Sequence, residues 1–400
     1  MNLRSSNPYP LLRHGIIHSY PSLEADCKTD IAIMGAGISG SLLAWELAQA
    51  GFAIVVVDRR HAGTGSTAAS TSLLQYEIDI PLHELTSKVG IENATRSYLL
   101  CLEAIDELHD ICDKIGLAEA FTYKPSFQFA SYKKHVGSLH QEFHARKKAG
   151  IKVQWLDEPE VKQRFGFKKP AGLWSPNGAQ AEAYQITHGL LQNSLKAGAA
   201  VYDNTEVTEI HHKRNGVDLL TAEGKKIKAK KLIIACGYES QKYISKKVQQ
   251  VNSTYAIASE PIEKNNFWFK EAMIWETAQP YLYMRTTGDK RIIVGGKDVE
   301  FSNPKRRDRL ISSKALALER EFCKLFPGMP FKTDFRWTGN FAGTVDGLPY
   351  IGSISERPNT FFALGYGGNG ITFSVIAAKI IKDMLKGKQN RDASIFAFDR

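Results

Sequence analysis

The stretch DIAIMGAGISGSLLAWELAQAGFAIVVVDRR, residues 30–60, decides the fold of this chain. It begins with a short run of β-forming residues and continues with a glycine-rich turn. The apolar residues after the turn recur at the spacing of one helix face. A second apolar run, AIVVV, then ends at Asp58. This order predicts a strand, a tight turn, a helix and a second strand that ends on an acidic residue.

The three glycines of the turn have separate expected roles. Gly35 permits the tight turn, Gly37 lets a pyrophosphate approach the backbone, and Gly40 lets the helix pack close to the strand. Ile38 and Ser39 open the helix, whose N-terminus attracts phosphate charge. Eighteen residues beyond Gly40, the Asp58 carboxylate can accept hydrogen bonds from an adenosine ribose. The stretch therefore predicts a dinucleotide-binding site, with Arg59 beside it.

Composition limits what kind of protein this can be. The 400 residues are 43% hydrophobic, which suffices for two domains or one large composite core. No apolar run reaches the roughly 18–20 residues of a membrane span, and the first thirty residues lack the apolar region of a signal peptide. We expect a cytoplasmic protein without a membrane span. The five cysteines show no C-x-x-C spacing, so we expect reduced thiols and no metal site.

The net charge of +10 raises nucleic acid as a possible partner. Lysines and arginines cluster within residues 133–148, 225–231 and 305–309. The middle cluster alternates with apolar residues, and none of the three interleaves with aromatic residues as a base-stacking surface would. The pattern favours solvated surfaces over a nucleic-acid interface.

Two further segments are expected at the same site. Residues 61–76 are small and hydroxyl-rich, and Gly65, Ser66 and Thr67 can reach phosphate oxygens. Near the C-terminus, Gly368, Asn369 and Gly370 precede an apolar helix that begins at Ile371 and offers a second helix N-terminus. The apolar strand LIIACG, residues 232–237, belongs to the same domain and ends at Cys236 and Gly237. Pieces this far apart indicate interwoven domains.

Together these motifs resemble the D-amino-acid oxidase, sarcosine oxidase and glycine oxidase family of FAD-dependent oxidoreductases. The resemblance covers nearly the whole chain from Asp30 onward, and the order and spacing of its motifs make it specific. Besides GAGISG and Asp58, it rests on GSTAASTS (65–72), LIIACG (232–237), YLYMRTTGDKRIIVGG (281–296), TVDGLPYIG (344–352) and GYGGNGITFS (365–374).

The resemblance implies a particular architecture. It implies the α/β class, with a doubly wound FAD-binding domain of the glutathione-reductase-like type and an interwoven α+β substrate domain built on an antiparallel sheet. The expected FAD-binding domain comprises residues 1–84, 152–250 and 337–400, and the substrate-binding domain residues 85–151 and 251–336. Gln75, Val207 and Asp346 join the expected FAD contacts.

The resemblance also implies oxidation of a C–N bond to an imine, in an amine or an N-substituted amino acid. Hydride would leave a C–H beside an amine and give an imine that water hydrolyses, while the flavin carries the chemistry. No second dinucleotide fingerprint exists for NAD(P), so the electrons pass to oxygen or to another acceptor. Lys297 is a candidate for oxygen activation. Two alternatives stay open, a flavoenzyme of tRNA modification and a non-enzymatic FAD-binding scaffold.

Departures from the family pattern refine these expectations. Relatives with covalent flavin carry a Cys or a His where this chain has Gly339 and Ala69, so we expect non-covalent FAD. Relatives that act on α-amino acids carry a carboxylate-binding Arg where Phe341 stands here, which favours an amine. Arg285 is an alternative clamp, since a guanidinium meets both carboxylate oxygens. The expected wall of the substrate site is aromatic and suits an amine; it consists of Tyr281, Tyr283, Trp337 and Phe341.

Overall fold

The computed structural model describes residues 3–6, 8–263, 267–301 and 303–400. The strands are β1 Arg4–Ser6, β2 Cys27–Met34, β3 Ile54–Val57, β4 Leu73–Leu74, β5 Phe121–Tyr123, β6 Ser126–Phe129, β7 Gln154–Asp157, β8 Ala171–Ser175, β9 Ala179–Ala181, β10 Ala200–Tyr202, β11 Val207–Lys213, β12 Gly216–Thr221, β13 Lys226–Ile234, β14 Gln250–Ser259, β15 Met273–Glu276, β16 Tyr283–Thr286, β17 Ile292–Val299, β18 Thr333–Gly343, β19 Tyr350–Ser353 and β20 Thr360–Leu364. The helices are α1 Tyr9–His14, α2 Ile38–Gln49, α3 Ser66–Ala69, α4 Leu82–Val89, α5 Ile91–Lys114, α6 Val136–Lys148, α7 Glu158–Phe165, α8 Ala183–Lys196, α9 Pro304–Arg309, α10 Ile311–Leu325 and α11 Gly370–Leu385.

An eight-stranded sheet carries the glycine-rich turn. Its order is β10-β3-β2-β13-β12-β11, with β20 also beside β13 and β19 beside β20. The pairs that join β10, β3, β2, β13 and β20 are parallel, whereas β11, β12 and β19 pair antiparallel. The strand, turn, helix and strand predicted from residues 30–60 are β2, the turn at Gly35, α2 and β3.

Strand β2 shows why this sheet is buried on both faces. Its side chains alternate between faces: Ile31 and Ile33 pack into a core with residues of α2, α5, α8 and α11. Ala32 and Met34 pack on the other face against residues of β12 and β13. A run that is apolar at every position is the signature of a strand covered on both sides. The predicted α/β class is confirmed.

The second large sheet is mostly antiparallel. It has nine strands in the order β1-β18-β14-β17-β16-β15-β6-β8-β7, and only the β15–β6 pair is parallel within the described residues. Helix α10 packs Ala315, Leu318 and Phe322 against a core that includes Tyr255 of β14. A smaller antiparallel sheet has the order β4-β9-β5. The predicted antiparallel substrate sheet is therefore present beside the parallel one.

Strand pairing departs from the predicted domain boundaries. Residues 152–250 were expected in the FAD-binding domain, yet β7 and β8 in this range extend the nine-stranded sheet. Strand β1 also joins that sheet through β18, which crosses the expected boundary at residue 337. Conversely, α5 was expected in the substrate domain but packs in one core with α2 and α11. Hydrophobic periodicity identifies a strand or a helix, but it does not identify the partner against which that element packs.

The basic cluster at residues 225–231, the cysteines and the helices can each be compared with what the composition predicts. On β13, Lys226, Lys228 and Lys230 are exposed while Ile227 and Ala229 are buried, so this basic cluster is the outer face of a strand. All five cysteines are free thiols. No helix in the described parts of the chain is both long and apolar enough to cross a membrane.

Candidate active site

The glycine-rich turn is closely packed. Gly35 has a φ of +106°, and a Cβ atom added to it would lie 2.5 Å from the carbonyl oxygen of Ala235 at the end of β13. A Cβ on Gly40 would lie 1.7 Å from the Gly35 carbonyl oxygen. Both distances are shorter than any van der Waals contact, so these two positions require glycine. Gly40 itself lies against the turn and outside the cavity that the turn borders.

The N-terminus of α2 meets two hydroxyl-bearing elements. The Ile38 amide donates to Thr67 Oγ1 over 3.0 Å, which ties the helix to the hydroxyl-rich segment. The Ser39 hydroxyl lies 2.7 Å from the Ser374 hydroxyl on α11, so the N-terminal turns of the two helices converge. Ser66 Oγ is buried and has no hydrogen-bond partner among the described residues. This arrangement offers an anion two helix N-termini and an unused hydroxyl donor.

Asp58 is held at the end of β3. Its carboxylate accepts hydrogen bonds from the backbone amides of Ala36 (2.8 Å) and Arg60 (2.9 Å). Burial raises the pKa of the Asp58 carboxyl, against the opposing effect of those two amides. The next two residues are cations that share one partner, because Arg59 and Arg60 lie 2.6 and 3.3 Å from the carboxylate oxygens of Glu239.

One large cavity joins these elements. Its empty volume is about 2180 Å³, including the open space at its mouth. Most of the sequence-predicted site residues line it: Gly35, Gly37, Ile38, Ser39, Asp58, Arg59, Gly65, Ser66, Thr67, Gln75, Val207, Cys236, Gly237, Tyr283, Phe341, Gly368, Asn369, Gly370 and Ile371.

The C-terminal glycine loop is fixed to the segment that follows the hydroxyl-rich stretch. The Asn369 side-chain amide donates to the carbonyl oxygens of Gln75 and Glu77, each over 2.9 Å. The Gly368 amide donates to Asp79 over 2.8 Å. These bonds hold the N-terminus of α11 against the wall of the cavity.

Gly339 and Ala69 face each other at the cavity. Both line it, and a Cβ atom on Gly339 would lie 3.2 Å from the Ala69 Cβ. The two positions that resemble flavin-attachment sites are therefore neighbours, and neither side chain contains a nucleophile.

Two predicted site residues lie away from the cavity because other partners hold them. Asp346 pairs with Arg400 (2.8 Å) and accepts a hydrogen bond from the Leu348 amide, which makes it a turn residue. Trp337 is 1% exposed, and its indole N–H donates to the Ala69 carbonyl over 2.9 Å. Trp337 thus packs behind the segment that lines the cavity, and it is not part of the aromatic wall.

The two predicted cations also lie outside the lining. The Arg285 guanidinium donates from Nε to the Thr71 carbonyl (2.5 Å) and from Nη1 to the Thr286 carbonyl (3.0 Å), with Glu182 at 3.9 Å. Its Nε and Nη1 atoms are therefore engaged by backbone carbonyls, Nη2 is buried without a hydrogen-bond partner among the described residues, and Arg285 does not line the cavity. Lys297 points toward Glu321 on α10, at 3.6 Å, so the expected role in oxygen activation has no support in the geometry.

Sequence reasoning missed several lining residues. Glu239, Asp79 and Asp298 all line the cavity with carboxylates. Glu239 and Asp79 each follow a recognised motif closely and could have been found as acids near a site. Asp298 lies beside Lys297, and the sequence gives no sign of which of the two faces inward.

Part of the cavity wall is aromatic. The rings of Tyr281 and Tyr283 lie 5.7 Å apart, and those of Trp275 and Tyr281 lie 6.3 Å apart. All three residues line the cavity together with Phe341. Among the described residues, no group of three or more His, Cys, Asp or Glu side chains could hold a metal ion.

Comparison with known proteins agrees with this geometry. The DAO family model, described as FAD dependent oxidoreductase, matches residues 30–384. The chain belongs to this family. It is a flavoenzyme whose cofactor is FAD, and the glycine turn, Asp58 and the unused Ser66 hydroxyl fit that cofactor.

Three relatives illustrate the range of this FAD-dependent family. A putative Rieske 2Fe-2S iron-sulfur protein of Bacillus subtilis is 26% identical over 390 residues, which are 96% of this chain and 73% of that relative. Gamma-glutamylputrescine oxidoreductase of Escherichia coli is 24% identical over 387 residues, covering 93% of this chain and 87% of the relative. The crystal structure of glycine oxidase from Geobacillus kaustophilus has a TM-score of 0.78 at 19% identity, covering 93% of this chain and 99% of that one.

Proposed function

We propose that this FAD-dependent oxidoreductase oxidises a C–N bond of an amine substrate to an imine. The observation that carries the proposal is the continuity of one cavity from the glycine-rich turn to the aromatic wall of Tyr281, Tyr283 and Phe341. Aromatic faces attract amines and their cations. Family membership and the relatives named for amine and amino-acid oxidation also support this choice.

The chain's own residues would bind and orient the cofactor. The N-terminus of α2, with Gly37 and Ser66, would receive the pyrophosphate, and Asp58 would accept from the ribose hydroxyls. The N-terminus of α11, preceded by Gly368 and Asn369, would face a negatively polarised part of the flavin. Gly339 and Ala69 would leave the flavin unlinked.

Bound FAD supplies a hydride acceptor. In such a reaction a hydride would leave the substrate carbon, the nitrogen lone pair would form the C=N bond, and the N–H proton would pass to solvent. Water then adds to the imine and releases a carbonyl compound and the free amine or ammonia. The reacting nitrogen must be unprotonated, because its lone pair forms the new bond. The aromatic wall would orient this nitrogen and exclude bulk water from it.

The direct test is anaerobic bleaching of the flavin. Purified holoprotein is mixed with a panel of amines, N-methyl amino acids and plain amino acids, and flavin absorbance is followed. We expect at least one amine to bleach the flavin. Readmission of air or of an artificial acceptor then distinguishes an oxidase from a dehydrogenase. A flavin that no member of the panel bleaches, but that dithionite reduces, would contradict the proposal.

A further inference from the structure

Two carboxylates lie together at the aromatic end of the cavity. Asp79 accepts a hydrogen bond from the Gly368 amide (2.8 Å) and another from the Tyr281 hydroxyl. Asp298, near the end of β17, is hydrogen-bonded to Thr254 and lies close enough to Asp79 for their charges to repel. Both residues line the cavity, and so does Tyr281. Two elements distant in sequence thus bring two negative groups to one place.

No cation in the cavity lining neutralises these carboxylates. Among the described residues, the lining cations are Arg59, Arg60 and Lys242, which belong to the dinucleotide end. Lys314 does not line the cavity: its ammonium donates to the Lys297 carbonyl over 2.7 Å, and its charge offsets only part of the burial effect that raises the pKa of Asp298. Among the described residues, the aromatic end of the cavity therefore presents two acidic side chains and no lining cation, and burial raises the pKa of both carboxyls.

Asp298 is also short of hydrogen-bond donors. Its Oδ1 atom is buried and has no hydrogen-bond partner among the described residues. A buried acceptor without a donor destabilises a structure unless another group compensates for it. A positively charged ligand group in the cavity would supply that compensation.

The chemistry of the proposed reaction decides which ligand group this is. The nitrogen that is oxidised must be neutral, whereas a pair of carboxylates stabilises a protonated nitrogen. The carboxylates would therefore hinder the reaction if they held the reacting nitrogen. Resting on the proposed function, we infer that the substrate carries a second, protonated nitrogen, which Asp79 and Asp298 hold while the first is oxidised. The substrate class is thus a diamine or polyamine, and the aromatic rings lie against the carbon chain between its nitrogens.

Ligand binding tests this inference without turnover. Oxidised holoprotein is titrated with a bis-quaternary alkane diammonium salt and with a mono-quaternary ammonium of equal length. Neither can be oxidised, because neither has a nitrogen lone pair. Perturbation of the flavin spectrum and calorimetry report binding. We expect the diammonium to bind at least tenfold more tightly at pH 8.

Neutral variants identify the residues. Asp79→Asn and Asp298→Asn should each reduce the preference for the diammonium to less than threefold. FAD content is the readout for Asp298→Asn only, because the Asp79 carboxylate also accepts from the Gly368 amide of the flavin-binding loop, a bond that Asn can keep through its side-chain oxygen. Glu300→Gln removes an exposed carboxylate two residues beyond Asp298 and is the matched control, which should retain the full preference. Equal binding of the two salts by the unchanged protein, or full preference in both Asn variants, would overturn the inference.

The outcomes for the two proposals are separable. A flavin that plain monoamines bleach as readily as diamines, with no diammonium preference, would contradict the second nitrogen and leave amine oxidation standing. A clear diammonium preference in a protein whose flavin no amine bleaches would contradict amine oxidation and leave the carboxylate site standing.

Discussion

Gly40→Ala tests the packing on which the cofactor site depends. The new Cβ would lie 1.7 Å from the Gly35 carbonyl oxygen. Real Cβ contacts are not shorter than 3.0 Å, so one side must move by at least 1.3 Å. The turn cannot move away freely, because the Gly35 amide donates to the Val57 carbonyl (2.8 Å) and the Gly35 Cα faces the end of β13. The displacement therefore falls on the N-terminus of α2.

Two effects follow from this displacement. Forcing one extra methyl group into a packed interior destabilises a protein by about 1–3 kcal/mol. Moving the first turn of α2 also breaks at least one hydrogen bond to a charged phosphate, which is worth about 1.5–3 kcal/mol. FAD affinity should therefore fall about 10- to 150-fold.

The assay compares two glycine-to-alanine variants. Denaturant unfolding of the apoprotein gives the change in stability, and quenching of flavin fluorescence gives FAD affinity. Gly137 is the control, because it lies in α6 and an added Cβ meets no described atom within 4 Å. Gly137→Ala should stabilise the protein by about 0.5–1 kcal/mol. If Gly40→Ala unfolded at the unchanged midpoint and bound FAD within twofold of the unchanged protein, the packing argument would be refuted.

Three further outcomes are expected. Acid denaturation should release intact FAD into the supernatant, because Gly339 and Ala69 lack a nucleophile; flavin retained on the precipitate would disprove this. Arg285→Lys should lower stability by about 1–3 kcal/mol through the lost bonds to Thr71 and Thr286, and should leave the apparent substrate constant within twofold. Diammonium binding should weaken as pH falls through about 6, since burial and the Asp79 charge raise the pKa of Asp298 to about 6 against the effects of Thr254 and Lys314. Asp298 is charged mainly above that pH, so Asp298→Asn should remove the step near pH 6 and leave only the dependence that comes from Asp79, whose pKa burial also raises.

The dinucleotide half of the site was predictable from the sequence because its determinants are local. A strand, a glycine turn and a helix N-terminus occupy adjacent positions in residues 30–60, and the steric reason for Gly40 is the Gly35 carbonyl oxygen only five residues earlier. The substrate half combines β14, β16, β17, β18 and the segment around Asp79, and its geometry depends on strand register. Sequence periodicity does not supply that register.

Arg285 shows what the two-residue alternation of side chains along a strand does not predict. The period places Tyr283 and Arg285 on one face of β16, and both side chains do contact Thr71. Yet only Tyr283 lines the cavity. Alternation identifies the face of a strand, but the position along the strand at which a cavity ends depends on the elements packed over it.

Lys297 and Asp298 show a second feature that strand alternation does not predict, a β-bulge. The bulge changes which charged side chain of β17 lines the cavity. Between Tyr255–Gly296 and Ser253–Val299, β17 has one residue more than β14, which is a β-bulge. Lys297 has a φ of +57° within this irregularity. Because a bulge shifts the alternation by one residue, Lys297 turns toward α10 and Asp298 lines the cavity. A regular strand would suggest a positive group near the flavin, whereas the bulged strand provides a negative one. The electrostatic preference of the substrate site, and with it the expected second ammonium group, therefore follows from a single extra residue in β17.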